Sequence, residues 1–418
     1  MIQKILIANR GEIAVRIIHS CKIMGIKTVA AYSKCDKDSF AVFLADESVC
    51  IGDNNPSESY LNTSAIITAA KQKNCDAIHP GYGFLSEDPE FAQQVTEAGL
   101  VFIGPSPEVL SKTFDKVTMK SIAKRLRCPI IPDATKTDKY PIMIKASHGG
   151  GGMGIKIVNN KNDYEKCLKS AQSEVQSGFS NAEIMHEKII DVYKHIDIQF
   201  VADKYGKITL FPARDCSIQQ NFQKIIEETP APNLLKSTLA KMEQDALNII
   251  SKVKYDNVGT VEFLLKKDMD YCFLEINSRL QVEHTITEEV TGIDLVEQQI
   301  RMATGEHNKL PEKISAKKHA IECRLRATSL GEINVFNIPA GKDIRFDTFI
   351  YQGYEMKPYY DALIGKIIVS DKRRENAIKK MEMALDETII RGAKTNVDEL
   401  FGIVSSPNFK SGKYSIFR

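Results

Sequence analysis

The sequence predicts an α/β protein that opens as a doubly wound parallel sheet, passes through a small α/β unit and ends in a larger mixed α+β region. Three observations carry that reading. Short β-rich runs alternate with helical patterns up to about residue 114, which implies a parallel sheet covered by helices. A glycine-rich loop lies between two short apolar runs near residue 150. From Tyr193 onward, strand-like alternation dominates and helices only interrupt it.

Residues 4–8 read as a buried strand, and residues 11–24 as a helix with Ile13, Ile17 and Met24 on one face and Val15 and Ile18 widening it. Residues 28–32, 48–51, 77–78 and 100–103 read as further strands, with a helix over 61–71. Residues 1–114 are therefore expected to form one domain. A charged helical linker follows at 115–130, closed by Cys128-Pro129. The compact unit 131–192 holds strands at 142–145 and 155–158, the glycine loop at 148–154 and a helix near 162–176. The remainder, 193–418, carries helices at 236–253 and 294–304, with a last helical stretch at 374–386 before a short tail.

A chain of 418 residues suggests about two to four domains. Its net charge of +2 argues against a protein built to wrap nucleic acid, which needs a concentrated basic excess. With 43% hydrophobic and 26% charged residues it falls in the ordinary globular range, so dominant disorder is excluded. No apolar run reaches the roughly 18 residues of a membrane span. The apolar run near the N-terminus stops at Asn9-Arg10, too soon for a signal peptide. Nine scattered cysteines without a CxxC pair read as reduced thiols, and a cytoplasmic protein is expected.

The richest stretch runs from Val261 to Asn277, two hydrophobic strands around a polar tip. If Asp268-Met269 closes a two-residue turn, Lys267 faces Asp270 and Glu262 faces Glu275. Opposed carboxylates repel by roughly 3 kcal/mol at about 5 Å and an effective dielectric of about 20. A divalent cation between them relieves this, and oxygen-only ligands favour Mg²⁺. Asp-Met is not a favoured type I′ pair, and a slip of one residue turns one carboxylate to solvent instead. Beyond it, Glu275, Asn277, Arg279, Gln281 and Glu283 recur at every second position, so a continuous strand places all five on one face. Alternation alone usually marks a solvated face. This mixture can also hold a metal, clamp an anion through Arg279 and supply a base.

Consecutive glycines from Gly149 to Gly152 let backbone N–H groups approach a phosphate closely, and Lys145 ends the preceding strand. No Gly-Lys-Ser/Thr follows, so this is not a Walker A loop; it reads as a flap over a nucleotide. Lys116, at a helix start, is a second candidate phosphate ligand.

Ile7-Ala-Asn-Arg-Gly-Glu-Ile-Ala14, His79-Pro-Gly-Tyr-Gly-Phe-Leu-Ser-Glu87, Ile144-Lys-Ala-Ser147 with its glycine loop, and Glu275-Ile-Asn-Ser-Arg-Leu-Gln-Val-Glu-His284 closely resemble biotin carboxylase. That family is the ATP-grasp component of acetyl-CoA, propionyl-CoA and pyruvate carboxylases, and the resemblance runs from Met1 to about Asn408. It implies an ATP-grasp fold, with 131–192 as the lid and 193–418 as the ATP-grasp core and C-terminal domain. It further implies that Lys116, Lys145, Glu187, Lys188, His195 and Gln219, with Gly150, Gly151 and Gly152 of the loop, contact ATP. Glu262 and Glu275 match metal ligands for Mg²⁺ (or Mn²⁺), with Asn277 beside them. Lys224, Arg279, Gln281 and Val282 match a bicarbonate pocket, Glu283 the general base, and Arg345 the arginine that steadies the biotin enolate.

This chain departs from the family pattern at several points. Phe222 stands where a His is usual, Gln220-Asn221 where a basic pair is common, Met153 for an Arg, His148 for a Gly and Asp197 for a Glu. The segments 132–140 and 346–351 are shorter than usual, and 324–329 lacks an acidic pair. No biotin-attachment sequence and no carboxyltransferase portion occur, so biotin is expected on a separate carrier protein. A carboxyltransferase subunit and a homodimer are expected as partners. Two alternatives stand beside this: another ATP-grasp ligase acting on an amine, and a weakened paralogue serving as a binding subunit.

Overall fold

The computed structural model describes residues 2–135, 139–146, 155–176 and 184–416. Strands β1 (Lys4–Ile7), β2 (Lys27–Ser33), β3 (Glu47–Gly52), β4 (Ala77–His79) and β5 (Val101–Phe102) form a parallel sheet in the order β3-β2-β1-β4-β5. Between and after them run α1 (Gly11–Ile23), α2 (Phe40–Leu44), α3 (Thr63–Gln72), α4 (Pro89–Glu97), α5 (Pro107–Phe114) and α6 (Lys116–Arg125). Both faces of β1 are apolar and both are covered, as parallel sheets require. Ile5 and Ile7 join Ile13 and Ile17 of α1 in one core, while Leu6 joins Ile66 and Ala69 of α3 in another. The strand order reverses between β1 and β4, where the loops after the two strands meet: Asn9 Nδ2 donates to the carbonyls of Pro80 (2.7 Å) and Tyr82 (2.8 Å).

A three-stranded antiparallel sheet follows, β6 (Ile142–Ala146), β7 (Ile155–Val158) and β8 (Ile184–Lys188) in the order β7-β6-β8. Helix α7 (Tyr164–Gln176) closes its own small core of Ile142, Ile144, Val158, Tyr164 and Ala171. His148, Gly150, Gly151, Gly152 and Met153 of the glycine loop lie outside the described residues.

The remaining chain builds a nine-stranded antiparallel sheet. Its members are β9 (Val192–Ala202), β10 (Ile208–Leu210), β11 (Arg214–Gln220), β12 (Gln223–Thr229), β13 (Val258–Lys266), β14 (Tyr271–Asn277), β15 (His319–Arg326) and, beyond a short β16 (Val335–Asn337), β17 (Ile344–Thr348) and β18 (Leu363–Asp371). The order is β14-β13-β9-β11-β12-β15-β18-β17, with β10 on β9. Helix α8 (Lys236–Val253) buries Met242, Ala246, Ile249 and Ile250 against Ile198, Phe200, Val261 and Phe263. Helices α9 (His284–Thr291), α10 (Leu295–Ala303) and α11 (Arg374–Glu387) follow, the last packing on β18 and β15.

Three expectations need correction. The polar row from Glu275 to Glu283 is not one strand: β14 ends at Asn277, an irregular segment follows, and α9 begins at His284. The chain is drawn off the ladder at Ser278, whose N–H donates to Glu87 (2.9 Å) and whose hydroxyl donates to Thr113 (2.5 Å). The stretch after α11 is more than the short tail expected: it folds as β19 (Ile389–Arg391), α12 (Val397–Val404) and α13 (Pro407–Ser411). Here β19 pairs with β16, and Leu400, Val404 and Phe409 enter the main core. The third correction, to the turn between β13 and β14, bears on the site.

Candidate functional site

Glu262 does pair with Glu275, but not through the turn expected. Leu265 pairs with Tyr271 and Phe263 with Phe273, which leaves a longer connection in which Met269 takes φ 67°. A bulge on β14 next to Glu262 then shifts the register and brings Glu262 opposite Glu275. On its other side Glu262 pairs with Asp197 of β9, and Asp197 with Arg214 of β11. One row across four strands therefore reads Arg214, Asp197, Glu262, Glu275. Three carboxylates in line demand cations, and the structure supplies them.

Lys224 is the centre of that answer. Its Nζ donates to Asp197 (2.8 Å), Glu262 (2.9 Å) and Glu283 (2.7 Å), all three buried. Burial alone pushes the carboxyls of Asp197 and Glu262 up; the Lys224 ammonium and the His195 imidazolium together outweigh it and hold both at about 2. Glu283 is likewise pushed up by burial and pulled well below the usual range by Lys224 and then Arg324. The lysine is in turn held well above its ordinary value, because its carboxylates outweigh desolvation. His195 Nε2 donates to Glu262 (2.9 Å), and its Nδ1 lies 3.1 Å from the Gln219 amide. Burial lowers this imidazole, but Glu262 and Asp197 raise it to about 9, so it is cationic at neutral pH.

The β11–β12 hairpin delivers Gln219 and Lys224 opposite one another. Its two-residue turn is Asn221-Phe222, at φ 52° and 63°, the I′ geometry that favours Gly at its second position. Phe222, 42% exposed, gains little packing to offset that strain. Phe222→Gly is expected to raise the urea midpoint of unfolding, by a stabilisation of about 0.5–1 kcal/mol. An unchanged or lower midpoint would contradict the strain.

The irregular segment after β14 still brings its side chains inward. Gln281 Nε2 donates to Glu262 (2.7 Å), and its carbonyl oxygen accepts from the fully buried Arg214. Arg279 is fixed by Glu87 at Nε (2.8 Å) and by the Asn277 carbonyl oxygen at Nη2 (2.9 Å), while the Asn277 Nδ2 is buried without a partner. The Val282 carbonyl accepts from Lys366 (2.7 Å), itself buried against Glu12 (3.2 Å).

A second group of charges lines the lid and α6. Lys116, the first residue of α6 with Asp115 as its cap, pairs with Glu275 (2.9 Å). Glu187 of β8 is buried between Lys145 (2.7 Å) and Lys120 (2.9 Å), while Lys188 is exposed. Arg345 has a carboxylate clamp of its own: Asp347 grips it through two bonds of 2.7 Å, and Glu288 takes Nη1 at 3.0 Å.

Sequence reasoning missed Arg214, Glu87, Lys120 and Arg324, which hold the predicted residues in place. It also passed over Cys216, whose buried thiol donates to Asp197 (3.4 Å) and lies 3.9 Å from Glu283. Only Glu87 carried a signal, as the last residue of the His79–Glu87 motif.

A small antiparallel sheet beside a large antiparallel sheet, with lysines on the first and carboxylates on the second, is the architecture of an ATP-grasp protein. Family models match in three consecutive blocks: "Biotin carboxylase, N-terminal domain" over 1–110, "Carbamoyl-phosphate synthase L chain, ATP binding domain" over 101–312, and "Biotin carboxylase C-terminal domain" over 324–417. The biotin carboxylase of Haemophilus influenzae is 40% identical, with 100% of this chain and 98% of that protein aligned. That of a Nostoc species is 42% identical over 99% of this chain and 97% of its own length. Among solved structures, a biotin carboxylase–βγ-ATP complex from Campylobacter jejuni superposes with a TM-score of 0.94 at 40% identity, covering 100% of this chain and 98% of that one. The biotin carboxylase domain dimer of Hydrogenobacter thermophilus 2-oxoglutarate carboxylase, with MgADP, ADP and bicarbonate, gives 0.95 at 37% identity, covering 100% and 96%. The chain belongs to the biotin carboxylase family, and it is an ATP-dependent ligase. Among the described residues no helix is long and apolar enough to cross a membrane.

Proposed function

We propose that this chain carboxylates biotin presented on a carrier protein, using MgATP and bicarbonate, as the first half-reaction of a biotin-dependent carboxylase. The observation that supports it most is Lys224, which gathers Asp197, Glu262 and Glu283 on one ammonium beside Gln281. An anion the size of bicarbonate fits this chemistry, with Lys224 and Arg279 as cations, the Gln281 amide and Val282 backbone as hydrogen-bond partners and Glu283 as base. Lys116, Lys145, Glu187, Lys188, His195 and Gln219 serve the nucleotide, with Gly150, Gly151 and Gly152 of the loop. Glu262 and Glu275, facing each other with oxygen donors only, suit Mg²⁺ or Mn²⁺. The ion, when bound, neutralises charge on the transferring phosphoryl group. Asn277 fits less directly, because its carbonyl oxygen is already engaged by Arg279.

Glu283 takes the bicarbonate proton, and the resulting oxyanion attacks the γ-phosphorus of ATP, expelling ADP and giving carboxyphosphate. Lys224 and Arg279 stabilise the charge that builds on the reacting oxygens. Carboxyphosphate breaks down to CO₂ and phosphate. Phosphate accepts the N1′ proton of biotin, and the ureido nitrogen adds to CO₂ while Arg345 steadies the enolate oxygen. A biotin carrier protein, a carboxyltransferase subunit and a second copy of this chain are the partners in this reading.

The deciding assay is phosphate release from ATP with bicarbonate, with and without free biotin. The expected result is bicarbonate-dependent cleavage that free biotin stimulates. Turnover driven by an amine and indifferent to biotin would transfer the chain to another group of ATP-grasp ligases. Absence of MgATP binding by calorimetry would make it a non-catalytic binding subunit.

A further inference from the structure

Two sequence motifs of the N-terminal domain, Ile7–Ala14 and His79–Glu87, reach the candidate bicarbonate pocket through a lysine that the mechanism above leaves unused. Residues 281–284 form a tight turn between β14 and α9. The His284 N–H donates to the Gln281 carbonyl at 3.2 Å, and the His284 ring donates to the same oxygen from Nδ1 at 2.8 Å. Val282 and Glu283 are the central residues, and Glu283 sits at φ −81° and ψ 11°, as the third residue of a type I turn does. The carbonyl of the central peptide, that of Val282, takes no part in the turn's own bonds. Lys366 of β18 holds it instead, donating from Nζ at 2.7 Å. Tilting that peptide changes ψ of Val282 and φ of Glu283, so it moves the Glu283 carboxylate relative to the Val282 N–H.

Lys366 is fully buried, and a charge there needs a partner. Glu12 supplies it, with Oε2 3.2 Å from Nζ, while its Oε1 accepts from the Tyr82 hydroxyl. Glu12 lies in the first turn of α1, where the helix dipole favours negative charge. A buried ion pair adds little to stability compared with an apolar pair of similar volume. The pair is better explained by the carbonyl it holds.

We propose that Lys366 is a positioning residue for bicarbonate, fixing the Val282–Glu283 peptide, and that Glu12 and Tyr82 act through it by anchoring its ammonium. This rests on reading Arg279, Gln281, Val282 and Glu283 as the bicarbonate pocket and its base. The two N-terminal motifs thereby share in the chemistry: Glu12 and Tyr82 set the backbone of the turn, as Glu87 sets Arg279. Lys116 pairs with Glu275 and Lys145 with Glu187, neither with the turn, so the effect falls on bicarbonate and not on the nucleotide.

The test measures ATP cleavage as a function of bicarbonate and of MgATP, with the melting temperature alongside, for wild type, Lys366→Met and the double variant Lys366→Met/Glu12→Gln. Lys366→Met is expected to raise the KM for bicarbonate by about tenfold or more, the scale of a charge-assisted hydrogen bond, with the KM for MgATP within about twofold. It strands the Glu12 carboxylate in the interior, so its melting temperature is expected to fall. The double variant removes both charges together and is expected to regain stability while keeping the raised bicarbonate KM, since Glu12 has nothing left to act through. It also carries the test if Lys366→Met alone does not fold. A wild-type bicarbonate KM in the double variant would overturn the proposal and leave the pair a purely structural one. So would equal rises in both KM values, or a bicarbonate KM that returns to normal as stability does. Wild-type ATP cleavage that does not depend on bicarbonate would instead remove the reading on which the proposal rests.

Discussion

Glu283→Gln is expected to lower bicarbonate-dependent ATP cleavage by about 100- to 10,000-fold, the range that general base catalysis contributes. The change keeps the size of the side chain and removes its charge. Lys224 retains Asp197 and Glu262 as partners, and Arg324 retains Glu227, so no cation is stranded. Burying an amide in place of a carboxylate also costs less desolvation, and the fold is expected to persist with an unchanged circular dichroism spectrum. The candidate nucleotide residues Lys116, Lys145 and Glu187 contact one another or Glu275, not Glu283, so MgATP affinity by calorimetry is expected within about twofold. Phosphate release at saturating bicarbonate is the deciding measurement. A variant that cleaves ATP at the wild-type rate would place the base elsewhere.

Local pattern carried the architecture well and the site only in part. β1, α1 and α8 stand within a residue or two of expectation because buried strands and amphipathic helices declare themselves over short windows. α4 and α5 went unread although Asp88-Pro89 and Ser106-Pro107 open them with cap and N1 proline signals. α9 offered no stripe to find, since nearly all of it is buried. The Glu262–Glu275 pair was reached through a turn the chain does not make. The longer connection and the bulge compensate each other, so the pairing came out right while its derivation did not. Arg214 and Arg324 had no local signature at all. A single arginine in a β-rich run looks the same whether it meets solvent or, like Arg279, a glutamate 192 residues away. Those partnerships exist only once the sheet is assembled.

Lys224→Met should be the most damaging single change in the site, in stability as well as activity. It removes the ammonium from Asp197, Glu262 and Glu283 together, each within 2.9 Å of it. Breaking a buried ion pair on one side costs about 3–5 kcal/mol, and His195, Arg214 and Arg324 compensate only in part. The sign of the pH dependence distinguishes this from a simple packing defect. In the wild type, Asp197 and Glu262 are held at about 2, below their unfolded values of about 4. They contribute stability that is complete above about pH 4 and lost as pH falls toward about 2. Without Lys224, burial and mutual repulsion raise these carboxyls above their unfolded values. They then favour folding only when protonated, and that contribution is lost as pH rises through the raised values. The gap in urea midpoint between wild type and Lys224→Met is therefore expected to be widest near pH 8 and to narrow toward pH 5. A gap of the same width at both pH values would mean that Lys224 matters for its stem and not for its charge. The mechanism would then lose its central cation.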